Sequence, residues 1–157
     1  MIRPKSDHSH DHHRHEDGHI RLLKKHSLSI TPARLAILKA LDAHPHADAD
    51  TILKYARGKI STLSKQAVYD NLHVLTENHI LRVIQPMGHP ARYETRVCDN
   101  HHHLVCRTCG AAADVDCASH DRPCLTPPQT HGFILEEAEV IFWGLCPSCQ
   151  NNSTTKP

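Results

Sequence analysis

Two C-x-x-C motifs constrain this chain more than any other feature. They are Cys106-Arg107-Thr108-Cys109 and Cys146-Pro147-Ser148-Cys149, and they enclose much of the second half of the sequence. A two-residue spacer lets both sulfurs of a motif reach one ion, and four thiolates suit tetrahedral Zn²⁺. We therefore predict a structural zinc site made by all four cysteines, in which the ion joins the two ends of a domain. The alternatives are a redox dithiol at one motif and incidental buried thiols.

The composition indicates an intracellular globular protein. The chain has 157 residues, enough for one domain or two small ones, and its hydrophobic content of 39% can form a core. No apolar stretch is long enough to cross a bilayer, and the N-terminus is not a secretory signal. We therefore expect a cytoplasmic protein without a membrane partner, in which seven cysteines favour metal binding or redox sensing over disulfides.

The charge is distributed unevenly along the chain. Residues 20–96 carry twelve Lys and Arg against six Asp and Glu, whereas residues 97–157 carry three against seven. A basic segment followed by an acidic, Cys-rich one indicates that the first half binds a polyanion and that the second half has another role.

Both termini lack apolar residues that could be buried. Residues 1–19 contain six histidines among charged and small polar residues, and we predict that this tail is disordered. Its imidazoles either bind metal weakly or are simply solvated. Residues 151–157 are also predicted to be disordered.

From Ile20 onwards the apolar periodicity is helical. The pattern predicts a short helix from Ile20, a second from Thr31-Pro32 to His44-Pro45, a third from Ala47-Asp48 to Gly58 and a fourth from Ser64 to about Asn78. Thr followed by Pro is typical of an N-cap and the first helical position. On the third helix, the residues expected to face the core are Ile52, Leu53 and Tyr55.

After Asn78 the periodicity changes to that of strands. Residues 80–85 and 91–94 are predicted to form a hairpin around a turn at 86–90. Helices followed by a two-stranded wing are the plan of a winged helix-turn-helix, in which the helix before the wing enters the major groove of DNA. The expected DNA-binding residues are Arg34, Ser64, Lys65, Gln66 and Tyr69, with Lys59, Arg82 and Arg92 available for phosphates. Each of these alone could equally be a solvated side chain; the excess of positive charge supports the group.

A second domain is predicted over residues 97–150. Its strands are expected at 101–105, 111–116 and 133–142, with a loop over 118–130. The predicted fold class is α+β: a winged helix-turn-helix domain over residues 20–96, then a small α/β dimerisation domain with a four-cysteine zinc site. A small sheet with an apolar face that little else can cover favours a homodimer.

Taken together, the motifs resemble those of the ferric uptake regulator family of metal-dependent bacterial repressors, over residues 20–149. The segments that carry the resemblance are Thr31-Pro32-Ala33-Arg34, Ser64-Lys65-Gln66-Ala67-Val68-Tyr69, Arg92-Tyr93-Glu94, the run from His101 to Gly110, and the second C-x-x-C motif. More narrowly, Val115-Asp116-Cys117, Pro123-Cys124-Leu125 and Glu137-Ala138-Glu139-Val140 resemble the actinobacterial branch that is associated with control of catalase-peroxidase genes.

The resemblance implies a regulatory metal between the two domains. Its ligands would be His46, Glu94, His101, His103 and Asp114. The chemistry agrees, because residues two apart in a strand face the same side, so that His101 and His103 can grip one ion. Imidazole with carboxylate suits Fe²⁺ or Mn²⁺, and Zn²⁺ is a further option. His44 is the alternative to His46.

The sequence departs from the family in two places. Asn100 and Ala138 occupy positions where members with a third metal site have ligands, so no complete third site is expected and His102 should be solvated or weakly binding. Asp70 stands where the family usually has Arg, so the operator sequence cannot be carried over.

The expected function is that of a homodimeric, metal-dependent repressor of iron-homeostasis or oxidative-stress genes, which a bound metal closes onto a palindromic operator. A zinc-responsive or peroxide-sensing repressor is the alternative, since Asp at position 114 resembles the peroxide-sensing type. Cys98, Cys117 and Cys124 are candidate redox thiols; inert free thiols are the other interpretation.

Two other classes of protein fit the sequence less well. A zinc hydrolase needs an open position on the ion beside a general base, and a closed four-cysteine site has none; a thiol oxidoreductase is the related rival. An RNA-binding zinc ribbon would need stacking aromatic residues, and only 4% of this chain is aromatic. We therefore do not expect an enzyme.

Overall fold

The structure is a computed structural model that describes residues 9–97, 99, 101–117, 123–136 and 138–153. The chain forms two compact units. The first unit is Met1–Val83 with Tyr93–Val97, and the second is Ile84–Arg92 with Cys98–Pro157. The predicted domain boundary after residue 96 lies one residue before the division between Val97 and Cys98. The hairpin turn, however, belongs to the second unit.

Four helices form the first unit: α1 (Ser9–Lys25), α2 (Pro32–Ala43), α3 (Ala49–Arg57) and α4 (Lys65–Glu77). The side chains of Thr31, Asp48 and Ser64 each cap a helix, accepting a hydrogen bond from the backbone N–H three residues later. The starts predicted for α2, α3 and α4 are confirmed within two residues. No helix in the described ranges is both long enough and apolar enough to span a membrane.

The apolar faces of these helices meet in one core. Its most deeply buried members include Leu23, Ile37, Leu38, Leu41, Ile52, Leu72, Leu75 and Ile80. The prediction that Tyr55 faces this core is wrong, because 44% of its surface is exposed. Its ring stacks instead on His44, with the ring centroids 3.7 Å apart, which leaves the polar hydroxyl end of the residue near water.

Helix α1 begins earlier than predicted. Residues 9–19, expected in the disordered tail, continue the helix that was predicted to start at Ile20. His19 explains part of this extension, because it is only 8% exposed and its Nε2 lies 2.9 Å from Oδ2 of Asp42 on α2. One turn later, Leu23 is fully buried and fixes the helix to the core. Residues 1–8 lie outside the described residues.

A short hairpin follows the helices. Its strands are β1 (Arg82–Ile84) and β2 (Arg92–Glu94), which pair in a two-stranded sheet. Within the first unit, the Tyr93 N–H donates to the Ala47 carbonyl at 3.1 Å, so the return strand is fastened to the segment before α3. The predicted winged-helix plan is confirmed.

The second unit contains a three-stranded sheet and a short helix. The strands β3 (His101–Cys106), β4 (Ala112–Asp116) and β5 (Ile141–Gly144) lie in the order β4-β3-β5, and α5 (Pro147–Ser153) follows. Strand β3 is antiparallel to β4 and parallel to β5. The predicted disordered end at residues 151–157 is wrong for 151–153, which belong to α5; residues 154–157 lie outside the described residues.

The predicted strand over residues 133–142 is mostly wrong. Only Ile141 and Phe142 of that range belong to β5, and Phe133 and Ile134 are 76% and 90% exposed. Strand β3 has six residues, and β5 already pairs with its last four, from His103 to Cys106. Among the described residues, most of the segment before Ile141 therefore has no strand beside it to pair with.

Candidate metal centres

The four cysteines of the C-x-x-C motifs come together at one end of the second unit. Their sulfurs all lie within 4.8 Å of one another. Cys106 ends β3 and Cys146 closely follows the parallel strand β5, so both motifs start at the same edge of the sheet. The Gly110 N–H donates to the Cys106 carbonyl at 2.9 Å and closes the first turn. The predicted zinc ligands are thus neighbours.

The geometry and electrostatics of this four-cysteine cluster fit Zn²⁺. Zn–S bonds of about 2.3 Å place tetrahedral sulfurs about 3.8 Å apart, and Sγ of Cys109 and Sγ of Cys146 are separated by 3.7 Å. Backbone N–H groups, that of Cys146 first, lower the pKa of Cys106 to about 6. Hydrogen bonds to the neighbouring thiols of Cys146 and Cys109 raise the pKa of Cys149 to about 12. A divalent cation would offset the repulsion between neighbouring thiolates and so allow all four thiols to ionise.

A second cluster in the same unit combines imidazole and carboxylate. His101 and His103 project from the same side of β3, and Asp114 on β4 lies directly opposite His103. The two Nε2 atoms are 3.1 Å apart. Oδ1 of Asp114 lies 3.9 Å from Nε2 of His101 and 3.8 Å from Nε2 of His103. Both imidazoles are fully buried, while the Asp114 side chain is 26% exposed.

The spacing of the two imidazole nitrogens fits one shared ion. Nitrogens bound to one ion at about 2.0–2.1 Å are separated by about 2.9 Å at a right angle and by about 3.3 Å at the tetrahedral angle, and the two Nε2 atoms are 3.1 Å apart. Nδ1 of His101 contacts a carboxylate oxygen of Asp99, which holds the proton on Nδ1 and leaves the Nε2 lone pair for a metal. The sequence analysis missed Asp99. Its signal in the sequence was a carboxylate residue two positions before His101.

Two more of the predicted regulatory ligands form a buried pair in the first unit. Nε2 of His46 lies 2.9 Å from Oε2 of Glu94, and the two residues are 9% and 2% exposed. Arg82 lies on the other carboxylate oxygen, with 3.8 Å between Nε and Oε1. His44 stacks on an exposed tyrosine ring instead. Of the two histidines before α3, the structure therefore favours His46.

The predicted DNA-contacting residues lie at the exposed start of α4. Ser64, Lys65, Gln66 and Tyr69 are all exposed. Lys65 forms an ion pair with Asp50 at 2.7 Å, which raises the pKa of the lysine, and Gln66 donates to Asp70 at 2.7 Å. Arg34 is placed by hydrogen bonds to the carbonyl and hydroxyl of Ser29. The Asp70 carboxylate therefore accepts a hydrogen bond from Gln66 of its own helix.

The candidate redox thiols divide into two groups. Cys117 and Cys124 lie close to the imidazole of His102, and Cys98 lies outside the described residues. His102 was expected to be solvated or weakly binding, and the solvated alternative is wrong because the residue is only 6% exposed. Burial, and then the neighbouring Cys117 thiol, raise the pKa of Cys124.

A winged-helix unit joined to a unit with a four-cysteine cluster and an imidazole–carboxylate cluster defines a class of metal-binding transcriptional regulators. Residues 25–142 match the ferric uptake regulator family. The chain is 54% identical over 134 residues to the transcriptional regulator FurA of Mycobacterium tuberculosis, covering 85% of this chain and 91% of that protein. It is 30% identical over 128 residues to the peroxide operon regulator of Bacillus subtilis, covering 81% and 88%.

Solved structures agree with this assignment. The peroxide stress regulator of Campylobacter jejuni superposes with a TM-score of 0.63 at 26% identity, covering 83% of this chain and 98% of that one. The ferric uptake regulator of Vibrio cholerae gives a TM-score of 0.64 at 22% identity, covering 80% and 98%, and shares the fold. The chain belongs to the ferric uptake regulator family; it is a transcriptional regulator and not an enzyme. The resemblance drawn from the sequence is confirmed.

Proposed function

We propose that this chain is a metal-responsive repressor that binds a palindromic DNA operator as a homodimer and controls iron-homeostasis or oxidative-stress genes. The observation that carries the proposal is the 3.1 Å approach of the His101 and His103 Nε2 atoms beside Asp114. Two buried imidazole nitrogens that converge beside a carboxylate can bind one cation. Because the proposed partner is chromosomal DNA, we expect the protein in the cytoplasm.

The proposed regulatory site takes ligands from both units. His101, His103 and Asp114 supply the half-set in the second unit, and the buried pair His46 and Glu94 supplies the half-set in the first. These five residues would hold Fe²⁺ or Mn²⁺, or alternatively Zn²⁺, and so link the half-sets. Bound Fe²⁺ would supply the electrons for reduction of peroxide, with oxidation of a neighbouring ligand residue. Each half-set is already gathered within its own unit.

DNA binding is assigned to the exposed start of α4. Lys65, Gln66 and Tyr69 reach towards base edges, Arg34 binds phosphate, and Ser64 both caps the helix and contacts the DNA. In a homodimer two such helices face the half-sites of a palindrome. To change from mostly open to mostly closed, the dimer needs a differential metal affinity of about 5 kcal/mol.

An apolar pair on the sheet supports the homodimer. Leu104 and Phe142 lie opposite each other on β3 and β5, and they are 50% and 48% exposed. Half-exposed large apolar side chains on neighbouring strands favour a partner surface, and a second copy of the chain supplies one.

The test is an anaerobic DNA-binding titration of the zinc-loaded protein on a palindrome from its own promoter, with Fe²⁺, Mn²⁺ or additional Zn²⁺. Tight DNA binding should require added metal. In His103→Asn, added metal should no longer produce tight binding. His131→Asn is the matched control, because His131 is exposed and lies in the same unit. Equal binding with and without metal would refute the proposal.

Peroxide sensing is a second candidate function, supported by Asp114 and by the 30% identity to the Bacillus subtilis peroxide operon regulator. A peroxide pulse on the iron-loaded protein should then release DNA. The Cys117→Ser/Cys124→Ser variant separates two routes: a retained response indicates oxidation at the imidazole–carboxylate cluster, and a lost response indicates thiol oxidation. Binding that depends on Zn²⁺ and ignores peroxide would indicate a zinc-responsive repressor.

A further inference from the structure

A third group of ligand atoms lies in the second unit, separate from both clusters described above. One ring nitrogen of His102 and the sulfurs of Cys117 and Cys124 are all within 4.8 Å of one another. Nε2 of His102 is 3.4 Å from Sγ of Cys124. A nitrogen and a sulfur bound to the same tetrahedral ion at about 2.0–2.3 Å are separated by about 3.5 Å. One edge of this group therefore already has the spacing of a metal site.

Within the described part of the chain, the contacts of the buried His102 ring satisfy it poorly. The ring is 6% exposed, although it alternates with His101 and His103 and so projects from the opposite side of β3. Its Nδ1 has no hydrogen-bond partner among the described residues. The contact at Nε2 is a thiol, which is only a weak hydrogen-bonding group. An imidazole placed in this way costs free energy unless a stronger bond replaces its lost water.

The chemistry of the trio selects its ligand. Two thiolates and a neutral imidazole carry a charge that a divalent cation neutralises, and sulfur with imidazole favours Zn²⁺ over hard cations such as Mg²⁺. Two cysteines and one histidine form a known three-ligand set for Zn²⁺, with a fourth position open to water. We propose that His102, Cys117 and Cys124 form a third metal site, which takes a thiophilic divalent cation of the Zn²⁺ class.

Co²⁺ is the probe that distinguishes this site from the other two. Thiolate ligation of Co²⁺ produces a charge-transfer band in the near ultraviolet, whereas imidazole and carboxylate ligation does not. The full chain, reduced and with Zn²⁺ in the four-cysteine cluster, is titrated anaerobically with Co²⁺. We expect a thiolate band whose final intensity corresponds to one thiolate-bound Co²⁺ per chain and which is lost in Cys117→Ser/Cys124→Ser, while the imidazole–carboxylate cluster takes up Co²⁺ without such a band. His102→Asn should weaken Co²⁺ binding at least about tenfold.

Two controls keep the test decisive. Zinc content after the titration should remain at one tightly held ion per chain in the thiol variant, which shows that the variant is folded and that the four-cysteine cluster is intact. His131→Asn, an exposed histidine of the same unit, should leave the band unchanged. A band that persists in Cys117→Ser/Cys124→Ser, or no band in the reduced natural sequence, would overturn the proposal. Loss of metal-dependent DNA binding alone would leave it standing.

Discussion

Gly110 closes the first C-x-x-C turn, and replacing it with Ala should damage the unit that contains the four-cysteine cluster. Its φ is +67°, in the left-handed region, and its N–H bonds the Cys106 carbonyl. A Cβ at this position would lie 2.6 Å from Cγ of His89 and 2.7 Å from its Cβ. These atoms are at the base of the histidine side chain, so a change of rotamer alone does not remove the clash.

The expected cost has two parts. A left-handed backbone costs an L-residue about 1–2 kcal/mol, and forcing an extra carbon into an occupied space costs about 1–3 kcal/mol. Gly110→Ala should therefore lower the free energy of unfolding of the second unit by about 2–5 kcal/mol. For a unit of this size each kcal/mol lowers Tm by about 4–8 °C, so a fall of roughly 10 °C or more is expected.

Trp143 provides the assay, because it is the one tryptophan of the chain and lies on β5 of the same unit. Denaturant unfolding of the zinc-loaded protein is followed by its fluorescence. Gly132→Ala is the matched control, since Gly132 has φ +83° but nothing within 4 Å of a new Cβ, and it should cost only about 1–2 kcal/mol. Equal losses in the two variants would refute the clash. In a His89→Gly background, Gly110→Ala should cost no more than the control.

Three further predictions concern the candidate sites. Cys109→Ser and Cys146→Ser should each abolish tight zinc retention and unfold the second unit, because structural zinc contributes about 10–16 kcal/mol in small sites; metal analysis and circular dichroism measure both. His46→Asn should remove the metal dependence of DNA binding in the titration above, and His44→Asn should retain it. Ser64→Ala should lower the free energy of unfolding by about 1 kcal/mol through loss of the N-cap. Ser64→Asn should restore that stability but not DNA affinity, and affinity that returned with stability would assign Ser64 to the cap alone.

Local chemistry made the first unit predictable. Thr31, Asp48 and Ser64 are capping residues whose hydrogen bonds are made three positions away, so the sequence itself contains both partners. The apolar spacing after each cap then fixes the buried face. Tyr55 failed because an aromatic residue at helical spacing can satisfy its ring on the surface, here against His44.

Non-local pairing limited the prediction of the second unit. Residues 133–142 have the apolar content of a strand, but a strand there must pair with β3. The strand β5 pairs with the last four residues of β3, so only the first two residues of β3 remain on that side. The burial of His102 was missed for a similar reason. Cys117 and Cys124 are distant in sequence from His102, and no local pattern predicts that both approach its imidazole.

Strand β3 relates the three candidate clusters to one another. Its two sides carry different ligands, His101 and His103 on one and His102 on the other, and Cys106 ends the strand. Because side chains alternate, a slip of one residue against β4 would separate both histidine clusters from their partners on or just after β4, and a slip against β5 would separate the two C-x-x-C motifs. The four-cysteine cluster opposes such a slip, since it joins the end of β3 to the segment after the parallel strand β5. Its first motif, Cys106 to Cys109, also forms the turn between β3 and β4, so a zinc ion there would hold the register on which the two histidine clusters depend, although it contacts neither.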